Sequence, residues 1–404
     1  MYVFNETACL LLKPPKRMAM LPEEMITEVL VRLPVKAILR SRAVCRRWAA
    51  LLSSEEFCAA KEAAGPATES VKLLFLSQTA RYDSTEVRSS DDDGGMPLLT
   101  LNGMRGDNAR ITSTPCRGLT LLHDPDSGFY VLNASTRAVT MLPPSPDKIL
   151  HSTTAGLGFD ARTKECKVVR LFTGDGGIPR EAFTRARCEV HTLGGDRWRP
   201  ISVEGVPCKF AGAALFGVVC HKLSAVFADG CLHWLIHPKF HFATRPAAAV
   251  LSFSVADETF SWVRAPPFDW EGAHLTELDG GLCMVREDLL PRASVLSCLE
   301  IWKVREDNGD WSLEHRVDLV RLSYKTGYLL SVPQYIRVVG KQGKKMILAT
   351  SFGRVFAYDL MSQTLELILR LGEISRYETE RPVARISLFK ERLTPVQRHN
   401  AQQE

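Results

Sequence analysis

Apolar positions along this chain keep two different periods, and the change between them falls at Gly65-Pro66. From Leu21 to Phe57 they recur at three- and four-residue spacing, the mark of amphipathic helix. Met25, Val29, Leu30 and Leu33 share a face of a first segment. Val35, Ile38 and Leu39 follow in a second, and Val44, Trp48, Leu51 and Leu52 in a third. Pro22 suits the first helical position, where its missing N–H costs nothing, and Glu23 and Glu24 favour the positive end of the helix dipole. Pro34 ends the first helix and opens the second. Helices this short are unstable alone and must pack together or on a partner. The spacing predicts a three-helix unit whose core holds Met25, Val29, Trp48 and Leu52.

Beyond residue 66, short apolar runs separated by Gly, Asp and Asn replace the helical period, as strands and turns require. An imperfect repeat emerges: a strand, a polar turn, then a second strand with a large side chain. Its copies are FYVLNASTRAVTMLP (129–143), CEVHTLGGDRWRPI (188–201), LSFSVADETFSWVRAP (251–266), LEIWKVREDNGDWSLEH (299–315) and VFAYDLMSQTLELILRL (355–371). Corresponding residues Val131, Val190, Phe253, Ile301 and Phe356 lie 59, 63, 48 and 55 apart, and Trp198, Trp262 and Trp311 align as one position. Glycine-marked strands such as GLGFD (156–160), FADGCLHWLIH (227–237) and DGGLCMVRE (279–287) lie between the copies.

Units of roughly 50 residues with about four strands each suit a β-propeller, because each blade exposes apolar faces that only its neighbours cover. A sixth blade is expected from Val71 to about Leu101, and RISLF (385–389) reads as a closing strand. Six blades are expected, with seven as the alternative; a β-sandwich pair leaves the evenly recurring hairpin unexplained. The expected class is α + β multidomain: a flexible leader 1–20, a helical domain 21–64, an all-β propeller 65–390 and a flexible tail 391–404.

Composition narrows the setting. No run of eighteen apolar residues occurs, so no membrane span is expected. Ala8 to Leu12 is too short for a secretory signal, and basic residues follow it rather than precede it. Eleven cysteines, odd in number and without a CxxC pair, suit reduced thiols of the cytoplasm or nucleus. Net charge is +5, yet six basic residues and no acid lie between Arg32 and Arg47, leaving 45 basic against 46 acidic residues elsewhere. A surplus so confined points to an acidic partner at one place rather than to a chain that coats nucleic acid.

Candidate chemistry is sparse. His233, His237 and His241, with Cys231 nearby, would share one side of a helix as a metal site requires. Pro238 and the strand-like context spread them along ~26 Å instead. Cys220-His221 offers a nucleophile and a base by composition, but adjacent strand residues point to opposite faces. TGDGG (173–177) lacks the lysine and helix of a phosphate loop, and no carboxylate pair stands out as acid and base. No catalytic residue, metal or cofactor is expected. Nucleic acid is not expected either, since the basic stretch lacks the Asn and Gln that read base edges. Trp270, His274, Arg286 and Arg292 are read at loop positions, where propellers carry variable binding residues, but that alone does not make them sites, and the target is not identified by the sequence.

Residues 21–57 resemble the F-box. Leu21-Pro22, the apolar helix from Met25 to Leu30, Leu33-Pro34, Lys36, Leu39, Arg40, Val44-Cys45-Arg46, Trp48, Leu51-Leu52 and Phe57 stand in its order. Ser41 departs from it, where an aromatic or apolar residue is commoner. The resemblance implies docking to a Skp-family adaptor and, through it, to a cullin–RING ubiquitin ligase. Leu21, Pro22, Leu30, Leu33, Pro34, Lys36, Leu39, Arg40, Val44 and Cys45 are the expected adaptor contacts. Rigid Leu-Pro corners lose little entropy on binding, and nearby positive charge steers an acidic adaptor.

Downstream, Gly118-Leu119, Tyr130-Val131-Leu132-Asn133, Ser135-Thr136-Arg137, Leu142-Pro143 and GLGFDARTKECKVVRLF (156–172) resemble the F-box-associated, kelch-like propeller of plant F-box proteins. Cys166 stands where that family usually has an aromatic, and Ala134 where proline is frequent. Together the resemblances imply a non-catalytic substrate receptor of an SCF-type ligase, whose propeller presents a surface to a protein target. A propeller-fold enzyme or glycan-binding protein with an incidental helical N-terminus is the alternative.

Overall fold

The structure, a computed structural model, describes residues 22–65, 71–371 and 385–396, except 79–82, 91–95, 105–108, 113, 125–127, 145–152, 174–185, 203–224, 236–247, 291–294, 306–308 and 333. The leader 1–20, Leu21, Cys220-His221, His237, His241, Arg292 and residues 174–177 therefore lie outside the described residues. The chain divides into two compact units, Met1–Ala67 and Thr68–Glu404.

In the first unit the helical period yields α1 Glu23–Val31, α2 Val35–Ser41 and α3 Arg46–Leu51, and a fourth helix follows, α4 Glu55–Ala63. Pro22 and Pro34 stand one place earlier than the spacing suggested. Each is an extended N-cap residue, with ψ of 145° and 148°, a position where a ring-fixed φ fits and no intrahelical N–H is needed. Ser54 caps α4, its Oγ accepting the Phe57 amide at 3.1 Å. Glu55 and Glu56 in the first turn and Lys61 in the last complement the dipole of that helix. Leu30, Val35, Ile38, Leu52 and Phe57 make the buried centre, and α1 lies against α4.

The second unit comprises six four-stranded antiparallel sheets. Its strands run β1 Leu73–Gln78, β2 Ser84–Ser89 and β3 Leu99–Asn102, then β4 Arg110–Ile111, β5 Thr120–Asp124, β6 Gly128–Asn133 and β7 Ala138–Met141. The third and fourth blades are β8 Thr153–Asp160, β9 Glu165–Thr173, β10 Ala186–Thr192 and β11 Arg199–Ile201, and β12 Val226–Ala228, β13 Cys231–Leu235, β14 Ala248–Ser254 and β15 Thr259–Arg264. The fifth is β16 His274–Leu278, β17 Gly281–Leu290, β18 Val295–Val304 and β19 Trp311–Asp318, followed by helix α5 Leu319–Thr326. The sixth is β20 Ile336–Gln342, β21 Lys345–Thr350, β22 Arg354–Asp359 and β23 Thr364–Arg370. β24 Ile386–Leu388 then returns to β1, with Leu73 opposite Leu388 and Phe75 opposite Ile386. The strand expected in RISLF thus completes the first blade and closes a six-bladed ring, the solution that hides blade edges.

Apolar burial follows the seams between blades. Val190 and Phe253, for example, share a cluster across the third and fourth blades, and Ile301 and Phe356 share one across the fifth and sixth. Val131, Val190, Phe253, Ile301 and Phe356 all occupy the third strand of their blades, as the repeat demands. Gly156 and Gly158 on β8 are required by close approach: a Cβ there would meet Ala225 Cβ and Val255 Cγ2, each at 2.6 Å, on the next blade.

Several expectations need correction. The three tryptophans do not share a position: Trp262 opposes Leu251 and Trp311 opposes Val304. The turn after β18 is longer than the turn after β14, which moves the register. Trp198 and Trp311 nevertheless share a task, each donating its indole N–H at 2.8 Å to a carbonyl of the preceding blade's last stretch, Pro143 and Arg264. The segment 391–396 is not a free tail. Asn133 Nδ2 donates to Arg392 O at 3.0 Å and Thr394 O at 2.7 Å, Thr394 Oγ1 donates to Arg117 O at 2.7 Å, and Leu393 is buried. Trp270 does lie in a loop, between β15 and β16, but is buried, and His274 is the buried first residue of β16.

Candidate functional site

The surface of the helical unit follows from which part of the apolar arc of α1 its own partners cover. Leu30 is 4% exposed and belongs to the core rather than to the expected contact set. Met25 and Val29, expected inside, are instead 53% and 61% exposed, one turn apart on α1. The arc is wider than the strip packed against α4, and its far side is left bare. Leu52 is fully buried, and Trp48 is half-buried.

Most of the other expected contacts also reach solvent. Pro22 and Pro34 are exposed, Leu33 and Leu39 are half-buried, and Val44 is 65% exposed. Cys45 is exposed and also caps α3, its Sγ accepting the Trp48 amide at 3.5 Å. Ser41 donates its hydroxyl to Ala37 O at 2.9 Å, so the departure at that position leaves no unmet polar group.

The charge is less uniform than the sequence implies. Lys36, Arg40, Arg46 and Arg47 are exposed, whereas Arg42 turns inward and donates to Leu52 O at 2.7 Å. Arg32 pairs with Glu28 at 2.8 Å, one turn away on α1. The unit therefore exposes apolar side chains and four cations to solvent, a combination suited to a partner that offers both apolar and acidic groups.

The propeller's sequence motifs resolve into turn chemistry. Asn133 Oδ1 accepts the Ser135 and Thr136 amides, and Asp160 Oδ1 accepts those of Arg162 and Thr163. Four residues after each acceptor, Arg137 and Lys164 take φ of 55° and 62°. Asp359 and Gln363 repeat the pattern. Burial disfavours the Asp160 carboxylate, but hydrogen bonds from Lys167 and two amides outweigh it and hold its pKa well below the usual range. Lys167 Nζ reaches Asp160 at 3.0 Å, Val255 O at 3.0 Å and Glu258 at 3.1 Å, tying the third blade to the fourth.

His233 lies on β13, with Nδ1 2.6 Å from Ser252 Oγ and Nε2 3.2 Å from Ala228 O, so both ring nitrogens are engaged. Among the described residues no group of His, Cys, Asp or Glu is placed to hold a metal ion. No helix among them is long and apolar enough to cross a membrane.

Comparison with known proteins agrees with this architecture. Residues 18–59 match the F-box domain family, and residues 63–366 match the F-box associated beta propeller domain. The chain belongs to the F-box proteins with an F-box associated beta propeller domain. It is similar to the F-box protein CPR1 of Arabidopsis thaliana, 23% identical over 92% of this chain and 89% of that protein. A putative F-box protein of the same plant is 22% identical over 88% of this chain and 82% of its own length. A putative F-box/kelch-repeat protein, also of Arabidopsis thaliana, is 23% identical over 74% and 72%.

Proposed function

We propose that this chain is the substrate-recognition subunit of an SCF-type cullin–RING ubiquitin ligase, holding a Skp-family adaptor with its helical unit and a target protein with its propeller. An F-box followed by a propeller supports a general role in substrate recognition. The observation that carries the finer reading is the exposure of Pro22, Met25, Val29, Pro34 and Val44, together with that of Lys36, Arg40, Arg46 and Arg47, on the one small helical unit. The chain itself makes and breaks no bond in this account. It holds a target lysine near a charged conjugating enzyme, which raises effective concentration.

The test separates surface from core. Val29→Asp combined with Pro22→Ala and Pro34→Ala changes exposed apolar groups without touching the buried Leu30, Ile38 or Leu52. The expected outcome is loss of co-purification with a Skp-family adaptor by at least about a hundredfold in affinity, roughly 3 kcal/mol, at an unchanged unfolding midpoint. Adaptor binding retained at full strength contradicts the proposal.

A further inference from the structure

We propose that the cavity beneath α5, at the outer edge of the fifth and sixth blades, receives an acidic side chain from a linear segment of the target protein. An apolar residue of the same segment then rests on Val320 and Tyr324. This inference deepens the reading of the propeller as the target-holding unit and rests on it.

The cavity has a volume of about 400 Å³ and is lined by Arg316, Asp318, Arg321, Lys325, Tyr358 and Gln363, among others, so three cations and one acid face it. Its roof is the one helix among the described residues of the propeller, inserted between β19 and β20. The sequence LVRLSYKT makes it two-sided: Leu319 and Leu322 are buried, whereas Val320 and Tyr324 are 45% and 92% exposed, one turn apart. Asp318 caps its start, accepting the Arg321 amide at 2.8 Å, and Gly327 ends it in the left-handed conformation at φ 72°. Both ends are thus fixed, and a fixed surface loses little entropy on binding.

Charge selects the occupant. Arg316 lies 3.7 Å from Asp288 and 4.0 Å from Glu300, acids that Arg286 also approaches, so those two cations are balanced. Arg321 meets the neutral Gln363 at 3.4 Å, and neither it nor Lys325 has a carboxylate within ion-pairing distance among the described residues. Arg321 and Lys325 are four apart on the same helix side, next to Val320 and Tyr324. Asp318 and Asp359 act on the nearby Tyr358 and keep the local positive surplus small. That balance suits a singly charged carboxylate rather than a dianionic phosphoryl group.

The experiment uses the full chain and fluorescein-labelled heptapeptides with a central Leu, Phe or Tyr flanked by Asp and Glu. Amide counterparts with Asn and Gln, and phosphoserine counterparts, are measured alongside. Expected is saturable binding of acidic peptides that weakens about tenfold or more in the amide series and in Arg321→Glu/Lys325→Glu. Val320→Asp, which leaves both cations in place, is expected to weaken binding several-fold as well. Equal binding of acidic and amide peptides, an unaffected double variant of native unfolding midpoint, or binding of phosphoserine peptides alone overturns the assignment. Adaptor binding is read in the same samples. Peptide failure with the adaptor held rejects the cavity alone, and adaptor failure with acidic peptide bound rejects the receptor reading alone.

Discussion

His274 Nε2 accepts the Val338 amide at 2.9 Å, which a charged imidazolium cannot do. Burial, then the Arg337 charge, lowers its pKa to about 3. Burial, then Arg110 and Arg170, lowers that of His123 to about 3, and burial lowers that of His233 to about 4. Glu287, whose carboxylate accepts the Ile336 amide, is raised by burial to about 7. Above pH ~6.5 the histidines are neutral folded and unfolded, and their contribution to stability is complete. Between pH ~6.5 and ~4.5 the unfolded chain takes up three protons that the folded chain refuses, while Glu287 keeps one that the unfolded chain releases. Stability is therefore expected to fall on acidification by about 3 kcal/mol per pH unit at its steepest. Denaturant titrations at pH about 7.5, 6 and 5 check this. A flat profile over that interval contradicts the buried neutral assignments.

At the scale of elements, the turn between β8 and β9 is joined to the turn between β14 and β15 through Lys167. Replacing Lys167 with Met strands Asp160, whose side chain is 1% exposed, and frees Glu258 to pair with Arg199 alone. The expected cost is about 3 kcal/mol, read as a lower unfolding midpoint, and an unchanged midpoint contradicts the tie between blades. DARTKE turns as NASTRA does, and the NASTRA turn was legible as the polar turn of the repeat, because a short side chain capping its own backbone is local chemistry. The sidedness of α1 was not. Periodicity shows that Met25, Val29 and Leu30 share an arc, but coverage depends on α4, which lies against α1, and of the three only Leu30 is buried. The tryptophan register failed for a similar reason: the lengths of the intervening turns, not the strands, set it. The docking of 391–396 joins Arg392 to Asn133, 259 residues earlier, and no local pattern carries that.

For the whole molecule, the ring was legible because the period of the repeat is itself the architecture. Each blade must cover its neighbour, and β24 must return to β1. The functional surface was legible only as residue types, since exposure is a property of the packed unit. The most direct test of the account is surface plasmon resonance between the full chain and a purified Skp-family adaptor, at about 0.05 M and about 0.5 M salt. The account predicts saturable one-to-one binding with Kd near or below about 1 μM, and an association rate that drops about tenfold or more at high salt while dissociation changes little. Absence of binding at either salt contradicts it.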